Sequence, residues 1–239
     1  MARDACEAFA QAHGGALYGA RKEAVCGFET AAEIALPALR RALAKGKTPN
    51  DAGVEALLAL LCGAELVVCD GNLSARAVSR LTQVCTRPLY VDPVSTAWAR
   101  ELKPFIGRFD TVKPNRMELA ALTDCPVETM PQIEAACDVL LAQGVRRVFV
   151  SMGADGMLCK GPEGMIYERS LPFDGMVNAT GAGDAAMAGI IHATLRGLDV
   201  RQTVQWAMGA GMVAIASPDT ISRSMSPAAI ETMIKEYLP

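Results

Sequence analysis

The chain has 239 residues, 51% of them hydrophobic and 21% charged, which is length and apolar content enough to bury a core. No low-complexity tract appears, so disorder, collagen and coiled coil are excluded. A formal net charge of −3 with scattered Lys and Arg argues against a nucleic-acid partner, whose reader would carry a basic face.

The longest apolar-and-glycine runs, Ala56 to Ala64 and Ala207 to Ala216, fall short of the ~18–20 residues that span a bilayer, and no membrane partner is expected. Asp4 and Glu7 stand where a signal peptide would be basic, so none is expected. The eight cysteines form no C-x-x-C pair and the chain has two histidines, His13 and His192, which makes a zinc site improbable. Cysteines in apolar runs, as in Val67-Val68-Cys69, read as core residues of a cytoplasmic protein.

In chain order, residues 1–28 contain Gly14-Gly15, Gly19 and Gly27 but no strand pattern. Residues 29–45 and 51–61 read as helices, the second with Val54, Leu57, Leu58 and Leu61 on one face, joined by Lys45 to Asn50. Gly46-Lys47-Thr48 looks like the end of a P-loop, but Arg41 stands where the first glycine is needed. The segment before it is helical, so it reads as a helix C-cap and turn.

From residue 62 onward short apolar runs alternate with helical patterns. Glu65 to Asp70 reads as a buried strand, and Ser74 can cap the helix after it. Pro88 to Asp92, Phe109 to Val112 and Arg147 to Ser151 are further strands. The last follows an amphipathic helix with Ile133, Ala136, Cys137, Leu140 and Leu141 on one face, stopped by Gly144. Gly156 to Lys160 and Met165 to Arg169 read as antiparallel strands joined by Gly161-Pro-Glu-Gly164. Helices are predicted at about 183–197, 200–216 and 226–237, and Val200, Val204, Met208, Met212 and Ile215 of the second form a core stripe.

This alternation implies an α/β fold, a mostly parallel central sheet with helices on both faces. The division expected is a helical segment over 1–61 and a core over 62–239. Ligands bind such sheets outside the carboxyl ends of the strands, just past Asp70, Asp92, Val112 and Ser151.

The strongest chemical signal is Asn178-Ala-Thr-Gly-Ala-Gly-Asp184, followed by the small-residue helix Ala185 to Ile191. Glycines at 181 and 183 let backbone N–H groups approach an anion at a helix N-terminus. Asp184, in the first turn, should stay ionised and could accept a proton from a hydroxyl attacking a phosphoryl group. A plain N-cap with a first-turn acid explains Thr180 and Asp184 equally, and the same glycines make a loose dinucleotide-binding fingerprint.

Thr180-Gly-Ala-Gly-Asp184 resembles the second signature of the ribokinase-like (PfkB) carbohydrate kinases. Two more segments match in order: Val112-Lys-Pro-Asn-Arg-Met-Glu118, with Asn115 and Glu118 at the spacing of the family's N-x-x-E, and Val150-Ser-Met-Gly-Ala-Asp-Gly156, similar to its nucleotide-binding turn. The resemblance covers about residues 62–239. Asp70-Gly-Asn-Leu73 and Val91-Asp-Pro-Val-Ser95 point to the branch that includes pseudouridine kinases.

The resemblance implies a transferase that moves the γ-phosphoryl group of ATP to a hydroxyl of a sugar or nucleoside, with Asp184 as base. Gly181, Ala182 and Gly183 would form an anion hole. Lys113, Asn115, Ser151, Gly153, Gly156 and Thr180 would bind ATP, with Lys113 read as an exposed strand-end residue. Glu118 would hold Mg²⁺ through water, and a monovalent cation is a further expectation. Asn72 and Asp92 are candidates for the substrate side, each equally explained by a turn.

The family's N-terminal sugar-binding signature, strands and β-lid have no counterpart in this sequence. His13-Gly-Gly-Ala-Leu-Tyr18 has paired glycines but no asparagine after them, and Asn178 stands where Asp is commoner. The fold is therefore expected to be incomplete at the N-terminus, and the lid interface of a homodimer to be missing. Two alternatives stand beside the kinase: a truncated or degenerate relative that binds nucleotide without turnover, and a dinucleotide-binding oxidoreductase.

Overall fold

The structure is a computed structural model that describes residues 64–238 together with Ala44 and Lys45. The helices expected over 29–45 and 51–61, the turn at Gly46 to Thr48 and the glycine pair after His13 otherwise lie outside the described residues. The chain divides into two compact units, and the one of Glu65–Gln83 with Pro88–Pro239 carries the sheet and the site.

Six strands lie side by side in chain order: β1 (Val67–Asp70), β2 (Leu89–Asp92), β3 (Thr111–Val112), β4 (Arg147–Ser151), β5 (Met157–Gly161) and β6 (Gly164–Glu168). The first four are parallel, and β5 and β6 run antiparallel beyond β4. The helices are α1 (Ala75–Val84), α2 (Thr96–Leu102), α3 (Arg116–Thr123), α4 (Met130–Ala142), α5 (Ala182–Leu195), α6 (Val200–Ile215) and α7 (Pro227–Tyr237). The strand–helix alternation of the sequence is thus an α/β fold with a mostly parallel sheet.

The reason lies in the apolar runs. Val91, Val112, Val148 and Val150 are fully buried, each burial removing roughly 1.5–3 kcal/mol of apolar exposure. Tyr90, Phe149, Met157 and Cys159 pack against Ala186, Met187, Ile190, Val204, Ala207 and Met208 of α5 and α6. Strand alternation sends Val148, Val150 and Leu158 to the opposite face, and α4 packs on β4 and β5. Gly189 lets α5 and α6 approach closely, because a Cβ there would lie 2.6 Å from the Trp206 carbonyl oxygen. The methionine stripe of α6 is core, with Met208 and Met212 buried.

Local signals act as their chemistry dictates. Ser74 Oγ accepts the N–H of Ala77 at 3.2 Å and starts α1. Gly144, at φ +114, ends α4 while its own N–H reaches Leu141 O at 3.0 Å and that of Val145 reaches Leu140 O at 3.2 Å, the paired bonds of a Schellman motif. Two expectations need correction. Glu65 to Asp70 is not a buried strand: β1 pairs with β2 alone among the described strands, and Val68 is 40% exposed. Phe109 does not begin β3, because it closes the 3-10 turn of Lys103–Arg108 through its N–H to Ile106 O. No helix among the described residues is long and apolar enough to cross a membrane.

Candidate active site

A cleft of about 420 Å³ opens at the carboxyl ends of the parallel strands. It is lined by Asp92, Val94, Lys113, Asn115, Glu118, Ser151, Thr180, Gly181, Gly183 and Asp184. Residues from three separate sequence motifs therefore converge on one volume, at the strand edge where open α/β sheets hold ligands.

The floor comes from β2 and β3. Their register pairs Val91 with Val112, so the next residues, Asp92 and Lys113, emerge together. Lys113 Nζ lies 2.7 Å from Asp92 Oδ2, and both residues are buried, Lys113 at 2% exposure. The sequence expectation of an exposed Lys113 is thus corrected: its strand end lies under the cleft and a carboxylate compensates the charge. Asp92 also accepts the Val94 N–H through Oδ1 at 3.0 Å, so it makes its turn and lines the cleft at once.

Asn115 caps α3, and Glu118 reciprocates: Asn115 Oδ1 accepts the Glu118 N–H and Glu118 Oε2 accepts the Asn115 N–H, each at 2.9 Å. This is a capping box. Glu118 is buried rather than solvated, and burial raises its pKa, helped by Asp92 and opposed by the Asn115 bonds and Lys113. Ser151 ends β4 with its N–H on Pro114 O at 3.0 Å, beside Asn115.

The roof is the loop before α5. Thr180 donates its N–H to Asn178 Oδ1 at 3.0 Å, and Asn178 Nδ2 donates to Pro218 O at 3.3 Å. Gly181 then turns into the left-handed region at φ +85, where a Cβ would collide with Thr220 O. The Ala182 N–H reaches Ala179 O at 3.4 Å, and the helical ladder begins with Ala185 on Gly181 O. The N–H groups of Gly183 and Asp184 lie between these two and have no acceptor within the helix. The Asp184 pKa is raised, first by desolvation, then by the Asp92 carboxylate, against a lowering pull from Lys113 and with a further push from Asp70. A helix N-terminus alone would pull the other way; desolvation, reinforced by the neighbouring acids, decides the direction.

Some expected residues stand apart from the cleft lining. Asn72 forms a turn, its N–H on Asp70 Oδ1 at 2.9 Å. Gly153 and Gly156, at φ +61 and +91, shape the turn after β4, which Arg116 ties to α3 through Asp155 at 2.7 Å. Ala182 contributes helix backbone without lining the space. Val94 was not foreseen, because nothing in a β-branched residue announces φ +66. The dinucleotide fingerprint fails on context: α5 follows the antiparallel strand β6 and an irregular loop, not the first strand of a βαβ unit.

The model of the pfkB family carbohydrate kinases matches residues 42–228. A pseudouridine kinase of Escherichia coli strain K12 is 27% identical over 173 residues, 72% of this chain and 55% of that enzyme. A 1-phosphofructokinase of Haemophilus influenzae is 34% identical over 105 residues, 44% of this chain and 34% of that enzyme. A structure of Arabidopsis thaliana ribokinase complexed with ribose and ATP has the same fold, with a TM-score of 0.67 at 22% identity, covering 79% of this chain and 60% of that one. The chain spans about half the length of the curated relatives it matches.

Proposed function

Since the chain belongs to the pfkB family of carbohydrate kinases, we propose that it transfers the γ-phosphoryl group of ATP to a hydroxyl of a sugar or nucleoside. The observation that carries this reading is the convergence of the Gly181–Asp184 turn, the Asn115–Glu118 box and Lys113 on one cleft. Asp184 takes the proton of the attacking hydroxyl. The N–H groups of Gly183 and Asp184 receive charge that develops on the transferred group, with Gly181 and Ala182 shaping their turn. Lys113, Asn115, Ser151 and Thr180 line the nucleotide's place, and Gly153 and Gly156 shape the turn beside it. Asn72 would serve the acceptor side, as the sequence expectation has it.

Mg²⁺ fits this donor set as a water-shelled ion. No cluster of three His, Cys, Asp or Glu residues among the described residues could cage a metal, which suits an ion that keeps most of its waters. Glu118 would hold it, because one carboxylate oxygen is fixed by Asn115 and the other remains available. When bound, the ion would neutralise phosphate charge. A monovalent cation, a cytoplasmic location and a homodimer belong to the same reading.

The acceptor class favoured is a nucleoside of the pseudouridine kind, supported by the Escherichia coli relative and by Asp92-Pro-Val-Ser95. The test is phosphorylation of a panel of sugars and nucleosides by the wild type and Asp184→Ala. Turnover that collapses in Asp184→Ala supports the reading. ATP binding with no turnover across the panel replaces it with a nucleotide-binding relative that lacks catalysis.

A further inference from the structure

We propose that Asp92 is a positioning residue that acts through Lys113: it anchors the ammonium under the first turn of α5, so that Lys113 meets the terminal phosphoryl group of the nucleotide. This deepens the kinase reading and rests on it for the identity of the anion.

Both oxygens of Asp92 are engaged, Oδ2 with Lys113 Nζ at 2.7 Å and Oδ1 with the Val94 N–H at 3.0 Å. The carboxylate is therefore fixed in direction before any acceptor arrives. The turn that fixes it is strained. Val94 sits at φ +66, a conformation unfavourable for a β-branched residue that persists where the surroundings over-determine it. Ser95 closes that turn with its N–H on Pro93 O at 2.7 Å.

Lys113 needs such an anchor. A buried ammonium without a partner deprotonates or leaves the interior, and Lys113 is 2% exposed. Its backbone is pinned as well, N–H to Val91 O at 3.0 Å. Nothing intervenes between the pair and α5: a Cβ on Gly183 would lie 3.6 Å from Lys113 Nζ and 3.8 Å from Asp92 Oδ2. The ammonium and the two N–H groups without helical acceptors thus address one space. Around them stand Asp184 from α5, Glu118 from α3 and Asp70 from β1, all acids. Among the described residues Lys113 is the one cation lining the cleft, and its placement decides whether an anion is met by positive charge.

The test compares wild type, Asp92→Asn, Lys113→Met and the double variant, by calorimetric titration with ATP and with ADP in Mg²⁺ and by acceptor kinetics. Each single variant is expected to lose about tenfold of the preference for ATP over ADP, the scale of one charge-assisted hydrogen bond. The double variant should lose no more than Lys113→Met, and the KM for the acceptor should stay unchanged. Asp92→Asn that keeps the ATP preference and raises the acceptor KM overturns the proposal, as do losses that add in the double variant. Should Asp92→Asn fail to fold, the double variant, which leaves no lone buried charge, is set against Lys113→Met: equal preference supports the anchor and a further loss overturns it. Wild type that prefers ATP yet phosphorylates no acceptor overturns the kinase reading, while the same titrations still decide the anchor. Wild type that binds no nucleotide overturns both.

Discussion

Asn115 and Glu118 hold each other across the first turn of α3, each side chain accepting the other's backbone N–H at 2.9 Å. The two residues that mark the phosphate side in the sequence are also a helix cap, so their structural and chemical roles can be separated by substitution. Burial raises the Glu118 pKa. The folded protein then binds that proton more tightly than the unfolded chain, so this group favours the fold at low pH. The advantage is lost as pH rises from the ordinary Glu range through the raised value. Gln keeps an acceptor for the box and removes the charge. Glu118→Gln should therefore unfold at an equal or higher Tm at neutral pH, flatten the pH dependence of Tm over that window, and lose phosphoryl transfer. Asn115→Ala should cost about 1 kcal/mol of stability through the lost cap. Thermal unfolding across pH, beside turnover, reads all of these.

The order of strands and helices was legible because apolar runs and caps are local signals. Tyr90, Val91, Val148 and Phe149 announce buried strands by composition, and Ser74 and Gly144 punctuate helices by chemistry. The motifs at Lys113 to Glu118, at Ser151 and at Thr180 to Asp184 could be read as one site through a resemblance, but their convergence depends on strand register, which no single segment encodes. Lys113 looked exposed because its partner Asp92 is 21 positions away on the neighbouring strand. Val94 escaped notice because its positive φ comes from the Asp92 side chain and the Pro93 turn, against its own propensity.

The two glycines of the α5 turn serve different ends, and alanine separates them. Gly181 has φ +85 and a Cβ position blocked by Thr220 O. Gly181→Ala should destabilise the protein by at least about 1 kcal/mol and weaken ATP binding by displacing the turn. At Gly183 the contacts of an added Cβ are ordinary, 3.6 and 3.8 Å. Gly183→Ala should keep the wild-type Tm, yet weaken ATP binding because the methyl group occupies the space before Lys113. Equal Tm losses in the two variants would refute this division of labour.

Cys137 and Cys159 are buried, and burial pushes both thiols up to about 12. The thiolate is the reactive form, so neither should react with a thiol reagent in the folded protein at neutral pH. Peptide mapping after labelling should find both modified only once denaturant is added. Labelling of Cys137 in the native protein would mean that the packing of α4 on the sheet opens under native conditions, and labelling of Cys159 that the packing of α5 and α6 on the other face does.

Asp184 gives the sharpest pH prediction. A base must be ionised to accept a proton, so kcat/KM should rise with pH through the Asp184 pKa, and the acid limb should lie above the ordinary Asp range because that pKa is raised. Desolvation and the Asp92 carboxylate push it up, while Lys113 pulls it down. Lys113→Met removes an opposite charge and should shift the limb to higher pH. Asp92→Asn removes a like charge but also releases the Lys113 ammonium it anchors, so the two effects oppose and its limb should lie below that of Lys113→Met. Asp184→Asn should abolish the limb together with turnover, a loss of about 10²–10⁴, while Mg²⁺–ATP binding persists. An acid limb that stays fixed in both neighbour variants would show that another group supplies the base.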